Sequence, residues 1–265
     1  MIEKSDAIII KSRKFRESSK LLTLYTKEYG KLNMIAKGSR SKNNKFGGSL
    51  ELLNHISVIF YYYPQKEFHY ISQVSTNDFF HSIHNDIKKT MIALSIAEII
   101  NNTVHTNDKN ESLFNLILDI YKSLENSSDD YIKYLVYFQI YFSKIMGYSP
   151  NFKSCIICNQ KIDENYKNDS VYLNFENGSV LCETCKNKVV IPLKNCSPKI
   201  PLIIDKLENT YVNNLPGMQI PYNVINETFS IYHKYLKNHL LGMKDLKSLD
   251  LYFNITWINK KLILN

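Results

Sequence analysis

The stretch KLLTLYTKEYGKLNMIAKG, residues 20–38, decides how the first third of the chain folds. Lys20 to Tyr25 and Lys31 to Lys37 each read as a short strand. Thr26-Lys27-Glu28-Tyr29-Gly30 between them is a glycine-bearing connection of hairpin length, so the two strands are expected to be adjacent and antiparallel. Outward from this hairpin, Ala7 to Lys11, His55 to Tyr62 and Glu67 to Val74 carry the same strand signal. Five short strands predict a small β-barrel of the OB type. Between the third and fourth, Gly38, Ser39, Ser41, Asn43, Asn44, Gly47 and Gly48 cannot build a strand or helix interior and predict an exposed loop.

Beyond Asp78 the apolar period lengthens from about two to about 3.6 residues. Ile87 to Val104, Glu111 to Glu125 and Asp130 to Met146 read as helices with wide apolar faces, as do Pro198 to Val212 and Tyr222 to Leu241. A region bearing cysteines interrupts them. The expectation is therefore an α+β chain: an OB-fold β-barrel over residues 1–80, a helical domain over 81–150 and 188–265, and a metal-binding insertion over 151–187.

Cys155-Ile156-Ile157-Cys158 and Cys182-Glu183-Thr184-Cys185 are two C-x-x-C knuckles separated by 23 residues. Two residues between cysteines let both thiolates turn toward one ion, and two knuckles complete a tetrahedral four-sulfur shell. Val171 to Phe175 and Ser179 to Leu181 flank the turn signal Glu176-Asn177-Gly178, which suits a zinc ribbon. One structural Zn²⁺ on Cys155, Cys158, Cys182 and Cys185 is expected, although a mononuclear iron site of the rubredoxin kind has the same ligands. A catalytic zinc would need a His or carboxylate ligand and an open position, and no histidine lies between Cys155 and Cys185. Cys196 reads as a buried small hydrophobe.

The chain carries a net charge of +8, yet Ile10 to Phe46 alone holds eleven Lys or Arg against Glu17 and Glu28, leaving the remainder slightly acidic. All three arginines, Arg13, Arg16 and Arg40, lie in that segment. A planar guanidinium suits phosphate in a way that lysine does not, so the placement points to a polyanion. The candidate nucleic-acid contacts are Lys11, Arg13, Lys14, Arg16, Lys37, Arg40, Lys42 and Lys45. Phe15 and Phe46 are candidates for base stacking, with plugging of the barrel core as the alternative for each.

The two most apolar stretches, Met91 to Val104 and Tyr131 to Met146, are interrupted by Glu98 and Lys133 and fall short of the roughly 20 residues that span a bilayer. With no export signal and with cysteines in metal-binding pairs, the expected location is the cytoplasm, without membrane attachment. No enzyme signature stands out. The G-x-x-x-x-G-K-[ST] phosphate loop is missing, and His81 and His84 have no accompanying carboxylate cluster at metal spacing. A zinc-ribbon RNA-binding or transcription-associated protein is the rival non-enzymatic reading, discriminated by preference for RNA over DNA.

Ala7-Ile8-Ile9-Ile10-Lys11, Glu17-Ser18-Ser19, Thr23-Leu24-Tyr25-Thr26, Gly30-Lys31 and Ala36-Lys37-Gly38 occur in an order and spacing that resemble the opening of RecO proteins. Gly147-Tyr148-Ser149-Pro150 before the first knuckle, the two cysteine pairs and Leu246-Lys247-Ser248 extend the resemblance over essentially the whole chain. The resemblance implies an OB-fold domain, a helical domain with a zinc finger, and a recombination mediator that is not an enzyme. Such a protein binds single- and double-stranded DNA, anneals complementary strands and is nucleoid-associated. It also implies partners: RecR, in some pathways RecF, and the C-terminal tail of single-strand-binding protein, in helping RecA onto coated DNA. The loop from Ser39 to Gly48 departs from the family, with asparagines where basic or proline-bearing versions are common.

Overall fold

A computed structural model describes residues 1–128 and 131–254. By internal contacts they form two compact units, Met1–Asn126 together with the chain from Lys244, and Ser127–Met243.

In the first unit, β1 (Ile2–Phe15), β2 (Ser19–Thr26), β3 (Gly30–Ala36), β4 (His55–Tyr61) and β5 (Phe68–Asp78) close a barrel in the order β1-β2-β3-β5-β4. Every pairing is antiparallel except β3 with β5. This is the OB arrangement, and all five expected strands are present, β1 being longer than its apolar signal at both ends. The period-2 pattern places Ala7, Ile9, Leu22, Leu24, Leu32, Met34, Ile56, Val58 and Phe60 in one core. Ile8 and Ile10 are buried as well, because α2 (Ile87–Thr103) packs against β1. That two-sided burial is why the sequence shows an unbroken apolar run there rather than alternation.

The β2–β3 turn explains Gly30. Its φ is +66°, and a Cβ there would lie 2.2 Å from the carbonyl oxygen of Asp108, so the glycine serves both a left-handed turn and a close backbone approach. The chain after α2 runs along this hairpin, with the Asn107 N–H donating to the Lys31 carbonyl at 3.0 Å.

The two long helices of this unit begin on polar caps. The Asp86 side chain accepts from the N–H groups of Lys88 and Lys89 at the start of α2, and Asn110 does so from Leu113 at the start of α3 (Glu111–Glu125). Glu125 reaches back to accept from Ser82 and Ile83 at 2.7 and 2.9 Å in the short α1 (His81–Asn85), which sequence reading did not foresee. Glu98, the charge in the apolar middle of α2, accepts from the N–H groups of Lys247 and Ser248, where residues 247–254 turn helical.

In the second unit, α4 (Ile132–Ile145) is buried on nearly all sides and packs on α5 (Lys199–Glu208) and α6 (Tyr222–His239). Its interrupting charge, Lys133, is fully buried and donates to the Met218 carbonyl at 2.9 Å. The expected start of this helix at Asp130 lies outside the described residues, as do residues 255–265 of the expected helical domain. Between α4 and α5, β6 (Asn151–Cys155), β7 (Val171–Asn174), β8 (Ser179–Cys182) and β9 (Lys194–Cys196) form a sheet in the order β6-β8-β7-β9. Among the described residues no helix is long and apolar enough to cross a membrane.

Candidate metal centre and nucleic-acid interface

The ribbon brings the two cysteine knuckles together. At the β7–β8 turn, Gly178 has a φ of +64°, and the Asn174 side chain accepts from the Glu176 N–H at 2.7 Å. β8 delivers Cys182. The first knuckle turns through Asn159 at a φ of 58°, with the Asn159 N–H donating to the Cys155 carbonyl at 2.9 Å. The Ile156 N–H donates to the Val180 carbonyl at 3.0 Å, which stitches that knuckle to β8.

All four sulfurs, of Cys155, Cys158, Cys182 and Cys185, lie within 4.8 Å of one another, and none is in a disulfide. Zinc–sulfur bonds of about 2.3 Å in a tetrahedron would place neighbouring sulfurs about 3.8 Å apart. The Cys158–Cys182 separation is 3.6 Å. The cluster therefore fits one tetrahedral ion. Cys155, Cys182 and Cys185 are buried with Leu181 beneath Tyr166, Tyr172, Val189 and Leu193, while Cys158 stands at the exposed edge of the cluster. Burial opposes ionisation of Cys155, but N–H donors from Cys158, Cys182 and Ile157 outweigh it and bring that thiol down to about 6. Burial and the neighbouring thiols push Cys185 up to about 12, so full ionisation of the set calls for a cation. Cys196 takes no part: it is buried in β9, which pushes it up to about 12.

The eight basic candidates are all exposed on the barrel. Among the described residues none of them is paired with a carboxylate, whereas Lys20, Lys27, Lys153 and Lys186 are. Lys11 and Arg13 on β1 face a hollow of about 260 Å³ on the outer side of β1–β3, shared with Thr23, Lys31, Asn33, Phe68 and one carboxylate, Glu67, which forms no ion pair with either cation. Lys31 donates to the Asn101 carbonyl at 2.7 Å, and burial together with Lys11 lowers its pKa. Lys14 stands opposite Lys20 at the end of the β1–β2 ladder.

Arg16 occupies the β1–β2 turn at a φ of 51°, its guanidinium 5.3 Å from the centre of the half-buried Phe15 ring. Arg40 ties the β3–β4 loop to that turn: its N–H donates to the Ser18 carbonyl at 2.9 Å and its Nη1 to the Arg16 carbonyl at 3.3 Å.

The β3–β4 loop is more structured than its composition suggested. The Asn44 side chain accepts from the Phe46 N–H at 2.9 Å, and Asn54 donates to the Gly48 and Ser49 carbonyls. Of the two readings of Phe46, its position favours the core plug: it is 4% exposed, packs in the barrel core with Leu50, and the Lys45 ammonium lies 5.0 Å from the centre of its ring. Beside it, Lys37 and Lys45 line a cleft of about 420 Å³ with Tyr61, Tyr63 and Tyr70. The sequence reading gave these tyrosines no role, although the run Tyr61-Tyr62-Tyr63-Pro64 at the end of a strand was a usable signal.

Comparison with known proteins matches residues 1–80 to the family model described as Recombination protein O N terminal, and residues 84–250 to Recombination protein O C terminal. The chain belongs to the RecO family. The DNA repair protein RecO of Thermoanaerobacter sp. (strain X514) is 27% identical over 244 residues, covering 89% of this chain and 92% of that protein. The DNA repair protein RecO of Caldanaerobacter subterraneus subsp. tengcongensis is 26% identical over 247 residues, covering 93% and 96%. That of Thermodesulfovibrio yellowstonii is 26% identical over 271 residues, covering 98% and 97%. The family is one of DNA repair and recombination proteins, and within it this RecO chain combines an OB-type barrel with a four-cysteine cluster.

Proposed function

We propose that this chain is a non-enzymatic recombination mediator that binds single- and double-stranded DNA on the basic face of its barrel and promotes annealing of complementary strands. The observation that carries the reading is the set of eight exposed cations that have no carboxylate partner among the described residues, gathered on the β1 strand and on two loops of an OB-type barrel. Cations neutralising phosphates lower the repulsion between two strands and release counterions, while base pairing supplies the specificity. No covalent step is required of the protein. Lys11, Arg13, Lys14, Arg16, Lys37, Arg40, Lys42 and Lys45 are assigned to phosphates, and Phe15, half-exposed beneath the Arg16 guanidinium, remains a candidate for base contact.

The four cysteines hold one structural zinc ion. An all-sulfur shell leaves no coordination position for substrate, so the ion fixes the ribbon and performs no chemistry. With RecR, and in some pathways RecF, the protein assists RecA in replacing single-strand-binding protein, whose C-terminal tail is a further partner. These partner assignments rest on membership of the family.

The test is fluorescence-detected annealing of two complementary oligonucleotides, with the wild type and an Arg13→Ala, Arg16→Ala, Arg40→Ala variant. Acceleration by the wild type that weakens in the variant is the expected result. A folded, metal-loaded wild type that accelerates nothing would sink the strand-pairing role and leave a partner-binding scaffold.

A further inference from the structure

Tyr61 and Tyr70 are paired across the β4–β5 ladder, and Tyr63 follows in the connection between those strands. Strand alternation sorts this aromatic run. Phe60 and Tyr62 turn inward, Tyr62 stacking on the buried His69 at 4.9 Å, while Tyr61 is 41% exposed and Tyr63 and Tyr70 are half-exposed. The three outward rings share the 420 Å³ cleft with Lys37 and Lys45, within the size range of small-ligand pockets. Every charged side chain lining it is cationic.

Each part of the cleft is held in place. The Lys45 ammonium donates to the Ser72 carbonyl at 2.9 Å, and that of Lys37 sits 4.5 Å from the centre of the Tyr70 ring. Lys66 sits 4.7 Å from the centre of the Tyr63 ring. The Tyr63 N–H donates to the His69 imidazole at 3.2 Å, which anchors the β4–β5 connection.

On the reading of the barrel as a DNA-binding surface, we infer that this cleft is a base-binding subsite for single-stranded DNA, in which unpaired bases stack on Tyr61, Tyr63 and Tyr70 while Lys37 and Lys45 hold the adjoining phosphates. Stacking of a base on an aromatic ring outweighs an exposed contact between an ammonium and a ring face. A base therefore displaces Lys37 from Tyr70, and the freed ammonium turns to the phosphate that arrives with it. Duplex bases are already stacked on one another and offer no face, so the cleft contributes to single strands alone.

The experiment compares binding of an oligo-dT, an abasic oligonucleotide of equal length and charge, and a duplex, each by fluorescence anisotropy. The proteins are the wild type, a triple Leu variant (Tyr61→Leu, Tyr63→Leu, Tyr70→Leu) and the matching triple Phe variant. Leu keeps the apolar bulk at these partly exposed positions while removing the ring face; Phe keeps the face.

The wild type is expected to prefer oligo-dT over the abasic strand by about fivefold or more per stacked base. The Leu variant should lose that preference with unchanged duplex affinity, and the Phe variant should retain it. A folded Leu variant that keeps the full preference would overturn the subsite while leaving the phosphate-binding barrel standing. If the Leu variant is unfolded, the Phe variant and wild type still decide: equal binding of dT and abasic strands by both overturns it. A wild type that binds no DNA overturns both readings together.

Discussion

The eight cations grouped on the barrel make a quantitative prediction for salt. Lys11 and Arg13 share one hollow, Arg16 and Arg40 are tied through the β1–β2 turn, and Lys37 and Lys45 share one cleft. Six of the eight fall in these three pairs, so a single strand crossing all of them engages about six phosphates, about four if one pair lies off its path, and more where Lys14 and Lys42 also engage. Each phosphate contact on a single strand contributes about −0.7 to the slope of log affinity against log salt, giving about −4.2 for six and about −2.8 for four. Between 50 and 200 mM salt the affinity for a single strand should thus fall about 50- to 300-fold. Replacing Arg13, Arg16 and Arg40 by Ala removes as many as three contacts and flattens the slope by about 2. Anisotropy titrations of a short dT oligonucleotide at four salt concentrations measure both slopes. A wild-type slope shallower than about −1, or a triple variant with an unchanged slope, would refute the assignment of these side chains to phosphates.

Cys182→Ser should abolish stoichiometric metal in the purified protein and destabilise the ribbon, since structural zinc supplies roughly 10 kcal/mol or more to such a fold; Cys196→Ala should leave metal content intact. Elemental analysis of both variants checks the four-ligand set, and metal retained by the first would contradict it. Gly30→Ala should lower stability by about 2 kcal/mol or more in urea unfolding, because the left-handed φ costs about 1 kcal/mol for a side chain and the new Cβ meets the Asp108 carbonyl. An unchanged midpoint would mean that the β2–β3 turn does not press on the chain after α2. Burial lowers the pKa of both His69 and His84 in the fold. The unfolded chain then binds more protons, so this contribution is complete above about pH 6.5 and is lost as pH falls toward the lower folded values. Urea midpoints at pH 7.5 and 5.5 should show the decline, and His84→Gln, whose amide can still donate to Asn54, should reduce it; an equal decline in the variant would exclude His84 as a contributor.

Most elements of the barrel and bundle were legible because their signals are local. A turn such as Thr26 to Gly30, a period of two in β4 or of 3.6 in α3, and the pairing of cysteines two residues apart each depend on residues close in sequence. Polar residues with distant partners were not legible. Glu98 and Lys133 read only as interruptions in apolar helices, and their partners, the N–H groups of Lys247 and Ser248 and the carbonyl of Met218, are remote along the chain. The burial of Phe46 and the exposure of Tyr61 were not legible for a similar reason. Whether a ring beside a barrel faces inward or outward depends on the path of the whole β3–β4 loop and on the pleat register at Tyr61, and composition carries neither.

The sequence alone determined the five barrel strands, the five long helices, the spacing of the four paired cysteines and the concentration of positive charge in one segment, since each is fixed by residue type and spacing. Tertiary structure decided which cations stand without carboxylate partners, which aromatic rings line a cleft and how the elements divide into compact units. Those properties depend on which surfaces meet, and the contacts that settle them join residues far apart in the chain.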